Sequence, residues 1–226
     1  MKEVTLALVG NPNSGKTTVF NNLTKTHQYV GNWPGVTVEK KEGTCRYNDY
    51  HLKVVDLPGV YSLTAYSLDE IIARDFIVEK RPDVVVDIVD ASNLERNLYL
   101  TVQLLEMGAR LVVALNMMDE ASERNLRIDV ERLSSRLGVP VVPMVASRNR
   151  GTEELLKKVV EVGEKKDPVE PFKVDYGREI EDEIAALEKI ISQSKVAEGY
   201  SPRWLAIKLL EGDEEITKKF AEVKVG

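Results

Sequence analysis

Cysteine and histidine are nearly absent from this sequence, which has one Cys and two His among 226 residues. Because a single cysteine cannot form an intrachain disulfide, a disulfide-stabilised secreted fold is excluded and a reducing cytosolic compartment is expected. Cys45 is therefore interpreted as an ordinary strand residue. Neither His27 nor His51 has a partner at metal-ligand spacing, so we expect no His/Cys metal centre and no iron site.

Long hydrophobic runs and an excess of positive charge are also missing. No apolar run approaches the roughly 20 residues of a membrane span, and the N-terminus has no signal-peptide pattern. The formal net charge is -6, and residues 167–226 hold nine Lys and Arg against 14 Asp and Glu. We therefore expect a soluble chain that binds neither nucleic acid nor lipid directly.

The most specific motif lies near the N-terminus, between an apolar run that predicts a strand and a segment that predicts a helix. It matches G-x-x-x-x-G-K-[ST] in full as Gly10-Asn11-Pro12-Asn13-Ser14-Gly15-Lys16-Thr17. The two glycines let successive N–H groups point inward at phosphate oxygens, next to the positive end of the helix. Lys16 is predicted to reach the β- and γ-phosphates, and the Thr17 hydroxyl to bind Mg²⁺.

Asp56-Leu57-Pro58-Gly59 follows the second strand of a predicted hairpin formed by 39–46 and 50–55. An aspartate at this strand end can hold the Mg²⁺ hydration shell. The Gly59 N–H is placed to contact a γ-phosphate.

A third loop, Asn116-Met117-Met118-Asp119, is predicted to choose the base. The Asp119 carboxylate can accept from both N1–H and the 2-amino group of guanine, whereas adenine offers neither donor. Asn116 is predicted to tie this loop to the phosphate loop. The turn Ala146-Ser147-Arg148 is placed to meet the guanine O6 with backbone N–H groups.

Strands alternate with helices along residues 1–166, which predicts an α/β fold with an open, doubly wound, mostly parallel sheet. All four loops then lie at the carboxyl edge of that sheet, where we expect one nucleotide. Residues 27–38 are predicted to be an irregular loop. A proline-containing linker around Pro168 and Pro171 separates a second domain, residues 167–226, whose apolar spacing predicts a small set of helices.

The four loops together resemble the N-terminal GTP-binding region of the FeoB family of ferrous iron transport proteins. The discriminating string is Gly31-Asn32-Trp33-Pro34-Gly35-Val36-Thr37-Val38-Glu39. The resemblance covers the whole chain and implies a GTPase domain, a helical domain like a guanine-nucleotide-dissociation inhibitor, and GTP, GDP and Mg²⁺ as ligands. It also implies nucleotide contacts at Thr18, Gly35, Val36, Leu57 and Pro58.

In that family a membrane-spanning Fe²⁺ permease follows, so the resemblance implies a fragment at the cytoplasmic side of the cell membrane with the permease as partner. A homo-oligomer is left open. One departure is Met117, where most GTPases carry lysine. Its thioether and methylenes can still lie over the purine face, without the charge.

Hydrolysis needs a residue other than the glutamine many small GTPases place after D-x-x-G, because that position is Val60 here. Resemblance to potassium-activated GTPases implies K⁺ held by the Asn13 side chain and by the Gly31 and Trp33 carbonyls. Thr37, the only threonine of residues 27–43, would bind Mg²⁺ in the GTP state and release it after hydrolysis. Asn13, Lys16, Thr37 and Gly59 are thus the candidate catalytic residues.

Two alternatives remain at this point. A ribosome- or tRNA-associated potassium-dependent GTPase would share the phosphate loop, but such proteins usually carry a basic RNA-binding module, and the second domain is acidic. A nucleotide-binding regulator with negligible turnover is the other, since unassisted GTPases can hydrolyse GTP as slowly as about 10⁻⁴ per second.

Overall fold

A computed structural model describes residues 2–223, apart from 26, 65, 166–168, 170, 171, 198 and 199. The strands are β1 (Lys2–Gly10), β2 (Gln28–Asn32), β3 (Glu39–Tyr47), β4 (Tyr50–Asp56), β5 (Val84–Asp90), β6 (Leu111–Asn116) and β7 (Val141–Pro143). The helices are α1 (Lys16–Thr24), α2 (Leu68–Asp75), α3 (Leu94–Glu106), α4 (Met118–Glu123), α5 (Val130–Leu137), α6 (Thr152–Gly163), α7 (Arg178–Ile191), α8 (Pro202–Leu210) and α9 (Glu214–Val223). A π-helical turn, Phe76–Lys80, continues α2.

The strands form one mixed sheet in the order β2-β3-β4-β1-β5-β6-β7. The five strands from β4 to β7 in that order are parallel, while β3 is antiparallel to β4 and β2 is antiparallel to β3. The predicted α/β class and mostly parallel sheet are therefore confirmed. The predicted hairpin is the β3–β4 pair.

Helices cover both faces of the sheet, so the central strands are buried on both sides, as parallel strands usually are. In β1, Leu6 and Leu8 belong to one core with Phe20 of α1 and Leu155 of α6. The alternate residues Ala7 and Val9 belong to a second core, with side chains from α2, α3 and α5. This layering keeps the strand ends fixed and leaves the loops at the carboxyl edge accessible.

Three local features differ from the sequence-based expectation. Residues 28–32 were expected in an irregular loop, but they form β2, because pairing with β3 satisfies backbone groups in a way that local composition does not reveal. The apolar run at 139–145 predicts a longer strand than β7, which spans only Val141–Pro143 because Pro140 and Pro143 lack the N–H that a ladder needs. The short helix α4 was not predicted.

The C-terminal helices α7, α8 and α9 form a separate small core around Trp204 and Ile216, as the apolar spacing predicts. Arg74 of α2 joins this unit to the sheet, because its Nη1 lies 3.1 Å from Asp213 Oδ2 and both side chains are buried. The predicted boundary at 166/167 lies outside the described residues, as do Pro168 and Pro171 of the predicted linker.

The described helices are also short. The longest has 14 residues, and within the described ranges none is long and apolar enough to cross a bilayer.

Candidate functional site

The four loops singled out in the sequence follow β1, β4, β6 and β7, and they meet at one edge of the sheet. This is the edge at which open α/β sheets generally bind their ligands.

The phosphate loop leaves β1 at Gly10 and enters α1 at Lys16. Gly15 has φ of 90°, in the left-handed region, and a Cβ there would collide with the side-chain amide of Asn116. A Cβ on Gly10 would lie 2.6 Å from the Ile88 carbonyl oxygen. Both positions therefore have room for glycine alone, and the loop stays narrow enough for its backbone to approach a ligand.

Two buried side chains of this loop have polar atoms without a hydrogen-bond partner in the described structure. They are both amide atoms of Asn11, which is 4% exposed, and the hydroxyl of Ser14, which is 1% exposed. Unpaired buried polar groups are rare and costly. A polyphosphate in this cradle fits, because it brings acceptor oxygens to the unpaired Ser14 hydroxyl.

Lys16 and Asp56 form an ion pair, with Nζ and Oδ1 2.5 Å apart, and both are largely buried. Burial raises the pKa of the Asp56 carboxyl, and the Lys16 ammonium opposes that rise. Thr17 lies next to Lys16 in the first turn of α1. A hydroxyl and a carboxylate are the oxygen donors that Mg²⁺ prefers, so Thr17 and Asp56 together fit the ion.

The loop after Asp56 runs alongside the phosphate loop. Leu57 N donates to the Leu8 carbonyl at 3.0 Å and Val60 N to the Gly10 carbonyl at 3.2 Å. A Cβ on Gly59 would lie 3.5 Å from Pro12 Cα, so Gly59 lies directly against the phosphate loop at Pro12. Pro58 lies between Leu57 and Gly59 in this loop.

Asn116 links the phosphate loop to the turn after β7 through both ends of its side chain. Its Nδ2 donates to the Ser14 carbonyl at 2.9 Å, and its Oδ1 accepts from Ala146 N at 2.9 Å. Asn22 of α1 strengthens the junction by donating to the Ala146 carbonyl at 2.8 Å. Sequence reasoning missed Asn22, because a polar residue inside a helix has no motif to mark it.

Asp119 lies in the first turn of α4 rather than in an extended loop. Its Oδ2 lies 3.8 Å from Arg148 Nη2, so the base-selecting carboxylate and the Ala146–Arg148 turn are neighbours. Ser147 is the middle residue of that turn. Met117 has φ of 61° and turns the chain between β6 and α4, with its methyl group close to Gly15.

The side chain of Trp33 packs against the π-helical turn after α2 and against β3. Its ring meets Phe76 edge-on at a centroid distance of 5.5 Å, and Lys40 Nζ lies 5.0 Å from the ring centre. The Trp33 carbonyl accepts from Val36 N at 3.2 Å, and Gly31 pairs with Lys40 in the β2–β3 ladder.

Within the described residues, no hydrogen bond or ion pair joins residues 31–37 to Asn13, Thr17 or Asp56. The roles of Gly31, Trp33 and Thr37 as ion ligands therefore stay predictions, as do the nucleotide contacts of Thr18, Gly35 and Val36.

Sequence reasoning also missed a cluster beside the phosphate loop. The guanidinium of Arg96 stacks on the ring of Tyr61 at 4.3 Å, and both line a cavity together with Asn11 and Asp90. Asp90 ends β5 as Asp56 ends β4, so its position at a strand end was a usable signal. Arg96 had none, because it is one charged residue on a helix.

The described residues include no group of three or more His, Cys, Asp or Glu that could hold a metal ion. Comparison with known families identifies the chain. Residues 4–159 match the family described as Ferrous iron transport protein B, and residues 176–225 match the FeoB cytosolic helical domain.

The chain belongs to the FeoB family.

Relatives agree with this assignment. The chain is 48% identical over 217 residues to the Fe(2+) transporter FeoB of Escherichia coli strain K12, covering 94% of this chain and 27% of the relative. It thus spans about a quarter of the relative's length. The predicted FeoB resemblance is confirmed.

Solved structures agree as well. The cytosolic domain of the T. maritima FeoB iron transporter in a GDP form has a TM-score of 0.91 and 41% identity, over 99% of this chain and 86% of that one. The same domain in a GMPPNP form has a TM-score of 0.91 and 42% identity, over 97% and 86%. The mixed sheet and the C-terminal helices are therefore those of a FeoB cytosolic region.

Proposed function

We propose that this FeoB-family chain binds guanine nucleotide with Mg²⁺ and hydrolyses GTP to GDP and phosphate. The observation that carries the proposal is the double hydrogen bond of Asn116, which ties the phosphate loop to the turn after β7. The GDP and GMPPNP forms of the T. maritima relative support the choice of ligand.

Asp119 is the proposed base selector. As the acceptor for two guanine donors it excludes adenine, and its neighbour Arg148 keeps the carboxylate near the turn that would meet O6. Met117 would cover one face of the purine through van der Waals contact alone. Asn116, Ala146 and Ser147 complete the base side of the site.

Binding of the triphosphate exchanges one partner of Lys16 for another. Lys16 pairs with Asp56 here, and the β- and γ-phosphates of GTP would compete for its ammonium. The Asp56 carboxylate would then be free to orient water around Mg²⁺. Thr17 and Thr37 would bind Mg²⁺ and Asp56 would hold its water shell, and the ion would neutralise charge on the β- and γ-oxygens. The Gly59 N–H would donate to the γ-phosphate.

Hydrolysis then follows the usual phosphoryl-transfer balance. A water oxygen bonds to the γ-phosphorus, the bond from that phosphorus to the bridging oxygen breaks, and the electron pair stays on GDP while the water's proton ends on the phosphate product. Val60 cannot orient the water through its side chain. We propose that Asn13, with the Gly31 and Trp33 carbonyls, would hold K⁺, which would supply positive charge to the phosphate oxygens during hydrolysis.

The proposed partner is the remainder of a longer polypeptide. The E. coli relative is a Fe(2+) transporter about four times as long as the matched region, so this chain would serve as a switch at the cytoplasmic side of a membrane permease that moves Fe²⁺. No contact of this region with nucleic acid or lipid is proposed, and self-association is left open.

Calorimetry and GTP turnover on this chain test the proposal. GDP and a non-hydrolysable GTP analogue should bind in Mg²⁺, whereas ADP should not. GTP turnover should be faster in K⁺ than in Na⁺, and Asn13→Ala should abolish that difference. Asn13 has φ of 67°, a backbone conformation that strains alanine but not glycine. Asn13→Gly is therefore the matched control for strain, because it also removes the side chain and should also abolish the K⁺ effect.

Two results would contradict the proposal. Equal binding of adenine and guanine nucleotides would remove the role of Asp119. Equal turnover in the two salts, or a K⁺ effect that survives in Asn13→Gly, would remove the proposed ion site while leaving nucleotide binding intact.

A further inference from the structure

A cavity of about 210 Å³ lies between the phosphate loop, Tyr61 and the beginning of α3. Asn11 and Asn13 line it from the phosphate loop, and Asp90, Asn93 and Arg96 line it from the opposite side. At about 30 Å³ per water molecule, the space holds a small ion together with several waters.

Two of its lining groups can serve a ligand. The Asn11 amide is 4% exposed and has no hydrogen-bond partner in the described structure. The Arg96 guanidinium stacks on the Tyr61 ring and makes no ion pair with any carboxylate among the described residues. A permanently charged cation and an unpaired buried amide donor thus line one small space, which favours an oxyanion.

The Asp90 carboxylate in the wall keeps its negative charge and opposes an oxyanion, but two donors already engage its oxygens and partly offset that charge. Asp90 Oδ1 accepts from Ser92 N at 2.8 Å, and Oδ2 accepts from Asn93 Nδ2 at 2.6 Å. Asn97 also uses both ends of its amide within this turn. The groups left for a ligand are therefore the Arg96 guanidinium and the Asn11 amide, whose Nδ2 can donate to an oxyanion.

The cavity also lies at the end of the loop where the γ-phosphate would be cleaved. Pro12 lines it, and Gly59, the proposed γ-phosphate contact, lies against Pro12. We propose that this cavity is a product site, in which Asn11 and Arg96 hold inorganic phosphate as it separates from GDP. The inference rests on the proposed GTP hydrolysis.

Titration of inorganic phosphate into the Mg²⁺–GDP complex, followed by ³¹P NMR of the free phosphate resonance, tests the site without turnover. Arg96→Gln should weaken phosphate binding about fivefold, the loss expected when one partly exposed charge is removed. Arg96→Lys keeps the charge and should stay within about twofold of the unchanged chain. Arg124→Gln is the matched control, because Arg124 is exposed at the end of α4.

The outcomes separate the two proposals. If phosphate does not bind the GDP complex, or binds it equally in the unchanged chain, Arg96→Gln and Arg124→Gln, the product site is wrong even when GTP is hydrolysed. A chain that binds no guanine nucleotide instead refutes the proposed function, before any phosphate is added.

Discussion

At the scale of single residues, Asp87 places a carboxyl group inside the sheet. It is 1% exposed in the middle of β5 and accepts a hydrogen bond from Thr101 Oγ1 at 2.6 Å. Burial raises the pKa of Asp87 to about 7, and the Thr101 hydroxyl opposes the rise. The folded chain therefore holds this proton more tightly than the unfolded chain, whose aspartates titrate near 4.

Stability should consequently fall as the pH rises from about 4 to about 7, because folding is favoured while Asp87 is protonated. Asp87→Asn imitates the neutral acid and should stabilise the chain at pH 8 by on the order of 2–4 kcal/mol. At pH 4 the difference should vanish. Urea unfolding at both pH values measures this, with the exposed Asp49→Asn as control; a loss of stability at pH 8 would contradict the buried-charge argument.

Asp119 is the second residue with a sharp expectation. Asp119→Asn should weaken GDP binding by at least about tenfold, since two hydrogen bonds to a charged acceptor are lost, and should improve xanthosine diphosphate binding, because the new amide can donate to a 2-oxo group. Competition calorimetry compares the two nucleotides. Glu120→Gln, on the neighbouring exposed carboxylate, should change neither; an unchanged preference in Asp119→Asn would mean that another residue selects the base.

The sequence alone was sufficient to propose the residues of the candidate site that belong to motifs. Lys16, Asp56, Asn116 and Asp119 stand at fixed spacings that phosphate and guanine chemistry require, so their proximity could be predicted. Arg96 and Asn22 could not be found in this way, because their positions beside the loop depend on how α3 and α1 pack on the sheet. Roles that depend on a bound ion remain predictions.

At the scale of elements, α2 connects three parts of the molecule. Its start is determined locally, because Ser67 Oγ accepts from Glu70 N at 3.2 Å and Glu70 Oε2 accepts from Ser67 N at 3.0 Å. Its end carries Arg74, which pairs with Asp213, and Phe76, which packs on Trp33. A shift of α2 would therefore be felt both by the C-terminal helices and by the segment around Trp33.

The Arg74–Asp213 pair should be needed as a pair. Asp213→Asn keeps the acceptor that caps α9 through Ile216 N but removes one of the two counter-charges of the buried Arg74, since Asp75 Oδ1 still lies 3.3 Å from Arg74 Nε. It should therefore destabilise the chain by about 2–3 kcal/mol. Adding Arg74→Met should recover at least about 1.5 kcal/mol of that loss. Urea unfolding of the single and double variants measures the coupling.

Asp182→Asn, in an exposed pair with Arg178, is the control and should leave the unfolding midpoint unchanged. Additive effects of Arg74→Met and Asp213→Asn would show that the two side chains do not depend on each other.

Elements with a strong period or an evident cap were predictable, whereas those that depend on distant pairing were not. The apolar strands β5 and β6 and the amphipathic helices α3 and α7 follow from their own sequences. By contrast, β2 has a glycine and no apolar alternation, and it exists through its ladder with β3. The π-helical turn after α2 had no local signal either.

At the scale of the whole molecule, ligand binding and the two cores should be thermodynamically linked. GDP at a hundred times its Kd, with Mg²⁺, should stabilise the fold by about 2.7 kcal/mol and raise the midpoint of thermal unfolding by roughly 5–10 °C for a chain of this size. ADP should have no such effect.

The linkage extends to the C-terminal helices, because Arg74 of α2 pairs with Asp213 and Tyr176, just before α7, hydrogen-bonds to Glu106 of α3. In Trp33→Phe, the fluorescence of Trp204 should report the same GDP-induced rise as far-UV circular dichroism of the whole chain. A Trp204 transition that ignores GDP would mean that the two units unfold independently.

The amide of Asn116 has one more consequence. Both ends of this amide are hydrogen-bonded within the protein. The phosphate loop and the turn expected to contact the base are therefore held at a fixed distance from each other before a ligand binds. A guanine nucleotide therefore binds to a site that is already assembled, and the protein loses little conformational freedom on binding. Pyrophosphate and guanosine, which are fragments of the nucleotide, should therefore bind at the same time, each to its own half of the site.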